Sequence, residues 1–335
     1  MKRWRIKMPA SLAKLAPTTI REKLTLWFLL LSLAPIFAIA FMAYTSSRAS
    51  LEKEIYNKLD AVADNKSYIL GIWFKEQLSQ AAALTANDAI KDLLSPSFRI
   101  VYPDLAAKTD AERMRRVKDI ITARQETNTS YIDVMIADTE GNIVASSSKS
   151  LLQQGKNLKD LGAPGIPEGD TFHITPAFFS NAAQLHVMMI IQPIHDNNAK
   201  IIGRVVLEVD LRPVNRLIEE RSGLGESGEV IIVDRARRLL TPSRSSEEST
   251  ILKPLPDSDP ISRGLQDQKG HDISNDYRGV PVIAAYRPLP EIGAALIAKI
   301  DQSEGLAPII QLRNVMAVIG LLTLFVAAAA SVALA

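Results

Sequence analysis

The chain of 335 residues contains no cysteine. Disulfides, cysteine-bound metals and a cysteine nucleophile are therefore excluded. An extracytoplasmic location is not, because a domain of this length buries enough core to stand without disulfides. Histidine is scarce too: only His173, His186, His195 and His271 occur, and none has the i, i+4 spacing of a helical metal pair. His173 and His186 are the two that a sheet would bring near each other. No serine-nucleophile motif, Walker loop or paired-carboxylate site stands out. Gly223, Gly225 and Gly228 spell GxGxxG, but a helix precedes them and a strand follows, the reverse of a dinucleotide site. They read as a turn between modules. Catalysis, a cofactor, a metal and a nucleic-acid partner are accordingly not expected.

Charge is missing from two runs, residues 24–44 (LTLWFLLLSLAPIFAIAFMAY) and 315–335 (VMAVIGLLTLFVAAAASVALA). At about 1.5 Å rise per residue, each matches the roughly 30 Å hydrocarbon core of a bilayer. Ahead of the first run stand Lys2, Arg3, Arg5, Lys7, Lys14, Arg21 and Lys23 against the single acid Glu22. Residues 1–23 therefore read as a basic cytoplasmic tail, and residues 45–313 as an extracytoplasmic domain. The second run returns toward the cytoplasm, and the effector expected beyond it is not in this chain. Ala38-Ile39-Ala40 resembles a signal-peptide cleavage site. The long basic tail and full spanning length favour a retained anchor, which Pro35 would kink.

Between the runs, residues 48–94 read as one long helix. Its stripe of Leu51, Ile55, Leu59, Val62, Ile69 and Trp73 has Lys66 as its one polar gap. Part of that stripe would pack on its own domain and part on the same helix of a second copy. Ser95-Pro96 ends the helix, and a second helix is expected over 110–126. Strands follow at 131–138 and 142–146, then a Gly- and Pro-rich stretch, then strands at 185–191 and 200–210 around a connector at 193–198. After a helix at 213–221 the outline returns: strands at 229–234 and 238–241, a loop-rich stretch to 270, and strands at 271–277, 280–287 and 294–300. The fold class is α+β, a long N-terminal helix with two PAS-like antiparallel-sheet modules, residues 45–220 and 221–313, between two transmembrane helices.

Several phrases carry a resemblance. They are GRVVLEVDL at 203–211, GLGESGE at 223–229, LLTPSR at 239–244, DYRGVPVIAAYRPL at 276–289 and IDQSEGLAPI at 300–309. Together they resemble the double Cache sensor domains of bacterial transmembrane receptors, over nearly all of residues 45–313. One departure is Ala294, where such proteins often carry a Trp after the preceding glycine. The resemblance implies an extracytoplasmic sensor whose membrane-distal module binds a small molecule and whose proximal module passes the signal to the second span. Some members recognise amino acids through a set of Tyr, Arg, Trp, Tyr and Asp. Asp210 would serve as the closing acid, but residues 146–179 hold no Arg-x-Trp pair, so an amino-acid ligand is not supported.

Strand alternation supplies the pocket candidates. On 131–138 one face carries Tyr131, Asp133, Met135 and Ala137, and the other, read as core, Ile132, Val134 and Ile136. The first face mixes a hydroxyl and a carboxylate with apolar groups, as a small-ligand pocket requires. Phe172, His173, Phe178, Phe179 and Asp210 would close it. The expected protein is a homodimeric bacterial inner-membrane sensor for a small molecule, input to a kinase, cyclase or chemoreceptor. Its rival is a tethered binding or assembly module without output.

Overall fold

The computed structural model describes residues 20–94, 103–148, 156–164, 169–219, 224–244 and 250–333. Residues 1–19 of the basic tail, the helix end read at Ser95-Pro96, the helix end read at Arg221, and Gly223 lie outside the described residues. The chain divides into two compact units, Tyr56–Glu304 and a second made of Met1–Ile55 with Gly305–Ala335.

One helix, α1 (Ile20–Thr85), takes up the first apolar run and most of the stripe. It ends short of Leu94 because the Asn87 side-chain oxygen accepts the Ala89 N–H at 3.0 Å and starts a new helix, α2 (Asp88–Leu94). The buried face is also offset from the expected stripe: it runs Leu59, Ala63, Lys66, Leu70, Phe74, Gln77, Ala81, Leu84. Lys66 is part of that face, since its Nζ donates to the Leu217 carbonyl at 2.6 Å. Gln77 belongs to it as well, its Oε1 accepting from Asn128 Nδ2 at 3.1 Å. Polar residues occupy core positions where their heads find partners. Helix α3 (Pro103–Thr127) then leads into the first sheet.

That sheet holds β1 (Tyr131–Ala137), β2 (Ile143–Ser146), β3 (His173–Ile174), β4 (Phe178–Ser180), β5 (Leu185–His195) and β6 (Ile201–Asp210). Its order is β2-β1-β6-β5-β3, with β4 also on β5, and every pair is antiparallel. Asp138 sets the β1–β2 turn by accepting the N–H groups of Glu140 and Asn142, and Gly141 takes φ +88°. Strand β5 runs on through Pro193, which sequence assigned to a connector. β3 and β4 reach no further than Ile191, so Pro193 lies where β5 is paired on one side only and a missing N–H is tolerated. One face of the sheet (Val134, Ile136, Leu207, Val209) packs on Ala81, Leu84, Val117 and Ile121 of α1 and α3. The far face (Met135, Met189, Val206) packs on Leu158, Leu161 and Phe178.

Helix α4 (Arg212–Glu219) leads to the second sheet: β7 (Glu229–Asp234), β8 (Gly270–Asn275), β9 (Pro281–Leu289) and β10 (Ala294–Asp301), in the order β7-β10-β9-β8. Residues 238–241 do not form the expected strand; they make isolated bridges, Val233↔Leu239 and Arg238↔Pro254. Asp234 takes the backbone N–H of Arg238 at 2.8 Å, which tightens the turn, and the Leu239 N–H goes to Lys253 instead. The stretch read as loop contains a helix, α5 (Asp259–Leu265), with Pro260 in its first turn. It lies close on β10: a Cβ at Gly264 would stand 2.7 Å from that of Ala295. The short α6 (Gln302–Gly305) and the long α7 (Ala307–Ala333) close the chain. Two antiparallel sheets with a long N-terminal helix make this the α+β fold expected.

Among the described residues one segment, Ala307–Val326, is long and apolar enough to cross a membrane, with a mean hydropathy of 2.0. Residues 24–44 are helical within α1, and their side chains up to Leu30 lie outside the described residues.

Candidate functional site

The far face of the first sheet gathers its polar groups where β1 meets β6. Tyr131 pairs with Val209 and Asp133 with Glu208, so Ile132 is an extra residue on β1, a β-bulge. The bulge flips the alternation before it. Tyr131 packs in the helix-side core with Val134, while Ile132 turns to the far face beside Met135. The expectation that Tyr131 and Asp133 share a face is thus corrected. Burial pushes the Tyr131 hydroxyl up to about 12, the nearby Asn128 side chain offsetting only part of this.

Asp133 is buried and well held. Its carboxylate accepts the hydroxyls of Ser146 at 2.6 Å and Ser147 at 2.8 Å and the N–H of Ser148 at 3.0 Å. Burial still raises its pKa above the usual carboxylate range, against the pull of these donors. Directly across the ladder stands Glu208, 0% exposed, with no hydrogen-bond partner for either carboxylate oxygen among the described residues. Burial raises Glu208 as well; the Ser180 hydroxyl nearby offsets part of this and the Asp133 charge adds to it. Two buried carboxyls thus face the same side, one saturated with donors and one with only the Ser180 hydroxyl near it. An unpaired buried carboxylate costs several kcal/mol, so the arrangement favours protonation or a donor brought from outside.

The other sequence candidates are placed differently. Asp210 is buried but committed to its own turn, accepting the Arg212 N–H at 2.9 Å and Arg212 Nε at 2.6 Å. Phe178 is part of the far-face core, and Phe172 is exposed at the sheet margin. His173 pairs with Ile191 and so faces the far side with it. His186 pairs with Phe179, whose ring meets it edge-to-face at 5.4 Å, so the two histidines are not brought together. Burial lowers the pKa of His186. Sequence reasoning missed Glu208, although a signal was there: it is the one charge inside VVLEV, two residues before Asp210 and on the same face.

The second sheet handles buried charge in the opposite way. Lys299, 1% exposed, reaches Glu229 Oε1 at 2.8 Å and Asp276 Oδ2, and lies 4.2 Å from the centre of the Tyr277 ring. Burial alone would raise both acids, but Lys299 outweighs it and holds them below the usual carboxylate range. That cluster is internally satisfied.

A family model described as a Cache domain matches residues 46–309. No curated protein matches the chain. Among solved structures, an extracellular ligand binding receptor from Desulfohalobium retbaense aligns with TM-score 0.52 and 16% identity, over 72% of this chain and 40% of that one. The ligand-binding domain of the Campylobacter jejuni chemoreceptor Tlp3, in complex with 4-methylisoleucine, aligns with TM-score 0.54 and 12% identity, over 76% and 94%. The sensor domain of the V. cholerae histidine kinase DctB aligns with TM-score 0.50 and 14% identity, over 75% and 98%. At these identities the likeness is one of fold.

Proposed function

This chain belongs to the Cache domain family, whose members are non-catalytic ligand-binding sensor modules of chemoreceptors and histidine kinases, and from that premise we propose that it senses a small amine outside the cell and relays its presence through the membrane. The observation that carries the ligand class is Glu208, buried opposite Asp133 with only the Ser180 hydroxyl near it and no counter-charge among the described residues. A ligand ammonium supplies the donors and the opposite charge that this face lacks. Asp133, Glu208 and His173 line the site from the sheet, and Phe178 backs it. Tyr131 has no part in it. The ligands named for Tlp3, 4-methylisoleucine and L-valine, are amino acids, which share the ammonium group. The absence of an Arg-x-Trp pair leaves a ligand carboxylate unmatched, so a simple amine fits better.

Residues 24–44 and 315–335 act as the two membrane spans, the basic tail holds the amino terminus inside, and α7 carries the signal. The exposed Tyr68 and Ile72, one turn apart on α1, form part of the contact with a second copy. The test is a thermal-shift screen of the detergent-solubilised chain against primary amines and polyamines. A binder should raise the melting temperature of the wild type and leave Glu208→Gln unmoved. A Glu208→Gln protein that binds the same amine equally well would remove the assignment. Binding should also weaken as pH falls through the raised pKa of Glu208, because the protonated acid offers the cation no charge.

A further inference from the structure

Between α4 and the start of the proximal sheet lies a cavity of about 220 Å³, whose lining includes Asn215, Ile218, Glu229, Val230, Thr241 and Arg244. At roughly 30 Å³ per liquid water, it exceeds a single structural water site several-fold. Asn215 is 8% exposed, and its Oδ1 has no hydrogen-bond partner among the described residues. The Thr241 hydroxyl oxygen is buried and accepts the Ile232 N–H at 3.1 Å, which leaves its O–H to give. Glu229 Oε2 accepts the Arg244 N–H at 3.0 Å and has a second lone pair to offer.

These groups present acceptors and a donor within one small space, against an apolar wall of Ile218 and Val230. The group that answers both is a hydroxyl, which donates and accepts at once. A charged ligand is poorly served, because Lys299 already meets the charge of Glu229 at 2.8 Å. The Arg244 guanidinium is turned to the Gly228 carbonyl at 3.3 Å. We propose that this cavity is a second small-molecule site, in the proximal module, for a neutral hydroxyl-rich molecule of polyol size. Helix α4 follows directly on β6, so an occupant touches both the helix leaving the distal sheet and the first strand of the proximal one. It would stiffen that junction. The site is separate from the Asp133–Glu208 face and does not depend on the sensor reading.

Isothermal titration of the full chain, in a detergent without a sugar headgroup, with erythritol and with myo-inositol tests the proposal. The wild type should bind at least one of them. Binding should weaken about tenfold or more in Asn215→Leu, which removes the waiting acceptor. It should be lost in Ile218→Phe, which fills the space, and be unchanged in Glu208→Gln. Ile218→Phe keeps the test open if Asn215→Leu fails to fold, and a thermal melt of each variant reports its fold. Absence of binding to the wild type by both polyols, a cavity of water only, overturns the proposal. So does binding that survives in a folded Ile218→Phe protein.

Discussion

Glu208 and Lys299 are both ionisable groups placed out of water, and they have opposite consequences. Burial, with the Asp133 charge adding to it and the nearby Ser180 hydroxyl offsetting only part, holds the folded pKa of Glu208 above the ordinary value of 4.5. A raised pKa contributes stability that is fully present below 4.5 and is lost as pH rises through the folded value. The unliganded Glu208→Gln protein should therefore be more stable than wild type near neutrality, by about 1–3 kcal/mol. The difference should close toward acid pH, which melting curves across about pH 4 to 8 would follow. A variant that is less stable at neutral pH would contradict the unpaired burial. Lys299→Met should do the reverse and cost about 3–5 kcal/mol by denaturant melt, because buried Glu229 loses its counter-charge and Asp276 is left with Arg278 alone. Of these groups sequence singled out Asp133 and not Glu208. Both acids are visible in their strands, but their pairing across the ladder is not.

At the scale of elements, two contacts tie the helices to the second sheet. Arg287, on β9 and nearly buried, reaches Asp60 Oδ1 at 2.7 Å and Asp64 Oδ1 at 2.5 Å, one turn apart on α1. His271 of β8 adds a contact to Asp60 Oδ2 at 2.7 Å and stacks on Tyr56. The Arg287 hydrogen bond holds Asp64 at about 2, below its ordinary 3.8. Its contribution is present above 3.8 and is lost as pH falls toward 2. Arg287→Lys should weaken the clamp, since an ammonium does not span two carboxylates as a guanidinium fork does. Hydrogen exchange should then quicken in residues 56–66, while the first sheet stays protected. The second contact is the turn sequence first noticed as GxGxxG. Glu304, in α6, accepts the N–H groups of Glu226 and Ser227 at 2.7 Å each and the Ser227 hydroxyl. These hydrogen bonds, that of Ser227 foremost, lower its pKa. Gly225 makes the turn possible: its φ is +72°, and a Cβ would stand 2.2 Å from Glu304 Oε1. Gly225→Ala should cost about 1–3 kcal/mol by denaturant melt and free Glu304; an unchanged midpoint would mean that the turn can yield. Sequence placed this turn correctly between helix and strand. It gave no sign of the carboxylate seated in it, which lies far along the chain.

For the molecule as a whole, ligand response and membrane insertion should separate. Removing residues 131–210 should abolish any ligand-induced shift while leaving the protein in the membrane fraction; a deleted protein that still responds would move the site elsewhere. The reason lies in where each property is written. Apolar run length, basic flanks and strand alternation act locally, so the sequence by itself determined the helical run ahead of the sheets, the α+β class, the antiparallel strand pairs and the family, whose phrases lie within residues 203–309. Local pattern cannot count an extra residue that a partner strand leaves unpaired. Tertiary structure alone decided that Ile132 bulges, that Tyr131 leaves the far face, and that Glu208 meets Asp133 there. Those outcomes rest on ladder bonds between strands far apart in sequence, where a one-residue slip exchanges the faces of everything before it.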